Sequence, residues 1–202
     1  FCFKHRLYSG EIKDVEVHTG KINVDNHIYL YSVIHDVTQK NRYQKQLEIS
    51  KAHLNEIIWG TNAGTWVWNI ETGETIFNER WAEIIGYTLD EISPVSIDTW
   101  IRFSHPDDLI ISIELIQKNI TKELDYYEFE TRMLHKNGQW IYVLDRGKIV
   151  EWSDDGKPLR MSGTHTDITK RKLAEKKLSY MAQHDSLTNL ANRLLFEELS
   201  NL

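Results

Sequence analysis

The run Thr166-Asp167-Ile168-Thr169 closes an alternating apolar and polar stretch and opens a charged one, and the same exit stands earlier as His35-Asp36-Val37-Thr38. Working outward from the two triplets exposes an internal repeat. Phe3-Lys4-His5-Arg6-Leu7 matches Phe129-Glu130-Thr131-Arg132-Met133. Both alternate apolar and polar residues, as a strand with one buried face does. Each is followed by a glycine turn, Ser9-Gly10 or Lys136-Asn137-Gly138, then by a second strand, Ile12 to Val17 or Trp140 to Leu144. Gly20-Lys21-Ile22 matches Gly147-Lys148-Ile149 ahead of the third strand. Asp36 and Asp167 lie 131 residues apart, an interval that suits one whole domain plus a linker and is too long for a solenoid period.

Past each triplet comes a Lys/Gln/Glu-rich stretch. Thr38 and Thr169 stand where an N-cap belongs, offering a side-chain oxygen to the first free helix amides. Apolar residues then recur at alternating spacings of four and three. In the first linker Tyr43, Leu47, Leu54 and Ile57 follow this pattern, with Ser50 as a weak point. In the second, Ala174, Leu178 and Met181 follow it in the same register, Leu47 and Leu178 each falling eleven residues past the Asp. One reading is an amphipathic helix that packs on its own domain. The shared register favours the other, a two-stranded coiled-coil seam between two copies of the chain.

Between the linkers, Thr65-Trp66-Val67-Trp68-Asn69-Ile70 reads as a strand, Glu71-Thr72-Gly73-Glu74 as a tight turn, and Thr75-Ile76-Phe77 as the returning strand. Asn78 is placed to cap a short helix through Ile85, which Gly86 ends. A looser region with Pro94 follows. Ser104 or an Asp then caps a helix over roughly 107–119, striped by Leu109, Ile113 and Ile116. Strands at 126–134, 140–150 and 159–168 complete an antiparallel α+β pattern.

Composition sets the outer bounds. The 202 residues are 41% hydrophobic and 11% aromatic, enough for a packed core. A formal charge of −6 leaves no footprint for nucleic acid or an anionic membrane. The single cysteine, Cys2, excludes an internal disulfide framework and suits a reducing compartment. No apolar run approaches the roughly 20 residues that span a bilayer, so the expectation is a cytoplasmic segment, with anchoring of the parent protein left open. The opening on Phe1 in strand-like sequence leads us to expect a fragment cut at both ends.

Gly64-Thr65-Trp66-Val67-Trp68-Asn69, Trp81, Ile85-Gly86-Tyr87 and His105-Pro106-Asp107-Asp108 resemble a PAS domain. Arg132, Gly138-Gln139-Trp140, Asp145-Arg146-Gly147 and the exit Gly163 to Thr169 resemble that family's C-terminal, or PAC, strands in the same order. The resemblance implies a PAS fold over 60–169, with a five-stranded antiparallel sheet curved around a cavity, helices on one face, and flanking linker helices. Residues 1–38 resemble the last three strands of a preceding PAS domain, followed by a helical linker at 39–59. A signalling helix is expected at 170–183. The tail His184-Asp185-Ser186-Leu187-Thr188-Asn189-Leu190-Ala191-Asn192-Arg193 resembles the HDxLTGLxNR opening of GGDEF domains, with Asn189 in place of the usual glycine. That family condenses two GTP into cyclic di-GMP. Its magnesium and GTP sites would all lie beyond Leu202, so no catalytic residue is assigned here.

Trp66, Trp68, Trp81 and Trp140 fall on elements that line the cavity in PAS domains. They either stack on a planar ligand or fill the core themselves. A covalent photoactive flavin is excluded, because Asn78-Glu79-Arg80-Trp81 offers no cysteine for the adduct. Haem normally takes its axial His from the long helix, which holds none, leaving only His105 or His135. Noncovalent flavin adenine dinucleotide stays open. The nine histidines show no HxH or HExxH spacing, which argues against zinc. Asp36, Thr38, Asp167 and Thr169 are the expected relay residues, because each pair joins a last strand to an outgoing helix. The expected function is a dimeric PAS sensor that binds a small ligand or cofactor and governs a C-terminal diguanylate cyclase. The alternatives are a filled-core dimerisation spacer, or a sensor for a degenerate GGDEF domain that only binds nucleotide.

Overall fold

A computed structural model describes residues 1–25, 27–184, 190 and 192. The chain divides into two compact units, Phe1–Thr61 and Asn62–Leu202. In the first, β1 (Cys2–Arg6), β2 (Ile12–Val24) and β3 (His27–Asp36) form an antiparallel sheet in the order β1-β2-β3, and α1 (Thr38–Thr61) follows. Val15 and Val17 on β2 are buried, whereas β3 is exposed along its whole length.

The second unit begins with β4 (Gly64–Asn69) and β5 (Thr75–Phe77), antiparallel across a turn whose Gly73 has φ 77°. Four helices follow: α2 (Glu79–Ile84), α3 (Leu89–Ile92), α4 (Ile97–Phe103) and α5 (Pro106–Ile120). Then come β6 (Tyr127–Leu134), β7 (Trp140–Trp152), β8 (Pro158–Asp167) and α6 (Thr169–Gln183). The sheet order is β5-β4-β8-β7-β6, antiparallel throughout, so β8 lies at the centre beside β4, the first strand of the unit. The α+β class and the five-stranded antiparallel sheet expected from the sequence are present.

The core is built by period. Along β7 the buried side chains are Val143, Asp145 and Ile149, alternating with exposed ones as one covered sheet face requires. Trp81, Trp100 and Phe103 from the helices, with Ile85 just past α2, pack with Trp66, Tyr127, Met133 and Met161 from the strands.

Three local readings are corrected. The loose region around Pro94 contains two short helices, each closed by a capping box: Thr88 with Glu91, and Ser96 with Thr99. Helices of four and seven residues give too few turns for a periodic signal. Next, α5 is capped by His105, whose Nδ1 accepts from the Asp107 amide at 3.3 Å, while the Ser104 hydroxyl donates to the Trp100 carbonyl. Last, Ile113 is exposed; Leu109, Leu115, Ile116 and Ile120 are the α5 residues packed on the core. The α5 start is tied to β6 by Asp108, which accepts from the Arg132 amide and from its guanidinium at 2.7–2.8 Å.

Candidate functional site

The exit from β8 into α6 is a small hydrogen-bonded knot. Asp167 Oδ1 accepts from the Thr169 amide at 2.8 Å. The Thr169 hydroxyl does not cap the helix; α6 has Ile168 at its N-cap position and no side-chain cap bond. The hydroxyl turns instead to β7, where it accepts from the Tyr142 amide at 3.0 Å and reaches the Tyr142 carbonyl at 3.4 Å. The first unit repeats this atom for atom. Asp36 Oδ1 accepts from the Thr38 amide at 3.0 Å, and the Thr38 hydroxyl accepts from the Asp14 amide at 2.9 Å and reaches the Asp14 carbonyl. The expected N-cap threonines are therefore corrected. In each triplet the carboxylate holds the helix start, and the hydroxyl pins it to the middle strand of the last three.

The two exits differ one layer further out. Glu130 on β6 pairs with both Arg171 and Lys172 of α6, and Lys176 donates to the Tyr142 hydroxyl over its ring. The Lys172 ammonium is the main influence holding the Glu130 carboxyl below its usual range. In the first unit the residue matching Glu130 is Lys4 and the one matching Arg171 is Lys40, so the pairing has no counterpart there.

The second unit has a cavity of about 20 Å³, which Trp66, Trp68, Trp81 and Trp100 all line. Trp140 is not part of it. It is 41% exposed at the start of β7, with its ring against His105 at 4.6 Å. Trp81 stacks on Phe77 at 3.9 Å, and the Trp66 ring lies over Gly147 and Gly163. These glycines face each other across β7 and β8, and a Cβ at either would overlap the indole.

Beneath the indoles sits a polar cluster that sequence reasoning missed. Tyr127 donates to Asp145 Oδ2 at 3.1 Å, and His165 Nε2 lies 3.0 Å from Asp145 Oδ1. The second contact is close but poorly directed, because Oδ1 receives no well-formed hydrogen bond, so we read it as electrostatic. Asp145 and His165 are almost wholly buried and oppose each other in the β7–β8 ladder, two residues before Asp167. Burial, and then the Asp145 charge, push the Tyr127 phenol well above its usual value. The Nε1 atoms of the four lining tryptophans are buried without a hydrogen-bond partner among the described residues.

Neither flavin adenine dinucleotide nor haem fits this cavity as it stands, since sites for drug-sized ligands run to about 300–1,000 Å³. The two candidate axial histidines are also engaged: His105 caps α5, and His135 Nδ1 accepts from the Asn137 amide.

The residues expected at a seam, Tyr43, Leu47 and Leu54 on α1 and Leu178 and Met181 on α6, are each more than half exposed. No helix among the described residues is long and apolar enough to cross a membrane. The GGDEF-like motif, apart from His184, Leu190 and Asn192, lies outside the described residues.

Comparison with known proteins bears on these features. Residues 74–165 match the family model described as PAS fold. A crystal structure of a sensory box histidine kinase/response regulator from Burkholderia thailandensis is 28% identical with a TM-score of 0.55, covering 74% of this chain and 98% of that one. A methyl sulfide methyltransferase-associated sensor of Methanosarcina acetivorans is 27% identical over 94% of this chain and 18% of its own length. A probable diguanylate cyclase, DgcE, of Escherichia coli is 25% identical over 56% of this chain and 10% of its own. The chain thus spans less than a quarter of the length of the curated relatives it matches.

Proposed function

We propose, from the PAS fold of the second unit, that the chain is a sensory relay governing a C-terminal diguanylate cyclase. The observation that carries the reading is the repeated knot. In both units an Asp-x-Thr triplet fixes the start of an exposed-seam helix to the sheet, at Asp36 and Thr38 and again at Asp167 and Thr169. A change in the sheet reaches α6 through these bonds, and α6 leads into the GGDEF-like sequence at His184. Two copies would pair through Leu47 and Leu54 on α1 and Leu178 and Met181 on α6. The angle or register of that pairing would set how two catalytic domains meet to condense GTP on magnesium. A switch of this kind needs only a few kcal/mol of differential interaction between two states. The similarity to DgcE supports the output assignment.

The test is Asp167→Ala in the full-length protein. It removes the acceptor for the Thr169 amide at a cost of about 1 kcal/mol, which leaves the fold intact. Cyclic di-GMP synthesis is expected to lose its dependence on the stimulus while the protein stays folded. Unchanged dependence would remove the relay role.

The small cavity favours a second reading, in which the core is filled and the unit serves as a dimerisation spacer. Native mass spectrometry of the purified chain separates the two, since a copurified small molecule would exclude the spacer.

A further inference from the structure

We propose that the second unit receives a signal from α1 at its entry, through Asn78, and passes it to α6 across the β4–β8 pairing. The inference rests on reading the chain as a relay, and it names where a change in the first unit would enter the second.

The entry is built as a clamp. α1 ends at Thr61, and Asn62 follows with φ 54°, a left-handed conformation that Asn tolerates better than most residues. The chain then enters β4 without slack. Arg80 Nε donates to the Asn62 carbonyl at 3.4 Å, and Asn78 Nδ2 donates to the Ala63 carbonyl at 3.2 Å. Asn78 Oδ1 accepts from the Thr65 amide at 2.8 Å and from the Trp81 amide at 3.0 Å. The Asn78 amide donates to the Thr65 carbonyl at 3.1 Å. One residue thus caps α2 and grips the entering chain on both sides of Gly64. Gly64 completes the joint: a Cβ there would lie 2.7 Å from Trp81 Cα, so the strand rests on the backbone of α2 itself. An ordinary N-cap needs only the bond to the Trp81 amide. The bonds to Ala63 and Thr65 go beyond that, and they remove the mobility that a connecting segment usually keeps.

Entry and exit are neighbours. Because β4 and β8 run antiparallel, the start of β4 lies beside the end of β8, with Gly64 opposite His165. His165 is buried, opposes Asp145 on its other side and stands two residues before Asp167. Asp167 in turn holds the Thr169 amide at the start of α6. A shift of the entering chain is therefore one strand pairing away from the exit knot. Close packing transmits such a shift because it leaves little room to absorb it. The first unit, whose sheet ends in the same knot at Asp36 and Thr38, would then act on the output in series, through the second.

Two variants in α1 supply the input. Gly60 lies in the last turn, with no atom within 4 Å of an added Cβ. Gly60→Ala should slow amide exchange in that turn roughly three- to fivefold. Trp59→Gly, at a residue 84% exposed, should speed it by a similar factor. The output is the Lys172 amide, which donates to the Ile168 carbonyl in the first turn of α6. In the whole chain its exchange is expected to slow about twofold with Gly60→Ala and to quicken about twofold with Trp59→Gly. Asn78→Asp keeps the oxygen that accepts from Trp81 and Thr65 but sets a second oxygen against the Ala63 carbonyl. It should abolish the Lys172 response while α1 still answers. The proposal is overturned if the last turn of α1 responds and Lys172 does not. It is equally overturned if the Lys172 response persists in Asn78→Asp, which would route the coupling through pairing of two copies instead. Should Asn78→Asp not fold, Arg80→Met removes the bond at Asn62 alone and is read by the same two outcomes. Either overturning result leaves the Asp167→Ala test of the relay standing.

Discussion

Asp36 illustrates how much one carboxylate does at these exits. Its pKa is lowered to about 2, first by hydrogen bonds from Thr38 and then by the Lys13 ammonium. A depressed folded-state value stabilises the fold fully above the unfolded carboxylate value of about 4, and that contribution fades as pH falls through the folded one. The first turn of α1 is therefore expected to loosen as the pH drops from about 4 to about 2, read as faster amide exchange at Thr38. Asp36→Asn keeps an acceptor oxygen but not the titration, so it should flatten this response while the turn stays closed. A response that persists in Asp36→Asn would assign the acid step to another group.

Among the elements, the β7–β8 pair carries the most weight. Gly147 and Gly163 leave room for the Trp66 ring, and a Cβ at Gly163 would sit 2.1 Å from the Arg146 carbonyl oxygen and 2.4 Å from the indole. Because backbone cannot step aside as a flexible side chain can, Gly163→Ala should destabilise the second unit by about 2–4 kcal/mol, measured by urea denaturation. A loss under about 0.5 kcal/mol would mean that the two strands separate more readily than their pairing suggests. The strands themselves were legible in the sequence, because alternation and turn glycines are local signals. The two triplets were legible as joints for the same reason. The direction in which Thr38 and Thr169 point was not, since their partners Asp14 and Tyr142 are 24 and 27 residues away. Trp140 was misassigned although alternation along β7 held the answer: the buried positions are Val143, Asp145 and Ile149, and an odd count from them puts Trp140 on the other face. The Asp145–His165 contact was beyond reach, because it depends on the register of two strands joined by a long hairpin.

For the whole molecule, the exposed apolar residues on α1 and α6 predict association between copies. Leu47→Asp combined with Leu178→Asp should shift the protein from dimer to monomer in analytical ultracentrifugation without loss of helix content. A dimer that survives both changes would place the interface elsewhere. On the proposed relay, what such a dimer would transmit depends on the knot at Thr169. Its hydroxyl engages both the amide and the carbonyl of Tyr142, and Glu130 and the Tyr142 hydroxyl hold Arg171, Lys172 and Lys176, so the first two turns of α6 are anchored to the sheet. A rod fixed at one end can swing but cannot slide. With 15 residues α6 is about 22 Å long, so a tilt of roughly 5° at the pivot carries its far end about 2 Å. On the proposed relay the joint is a lever with its fulcrum in the anchored first turns of the helix, and a small rearrangement of the sheet would become a larger displacement at the other end.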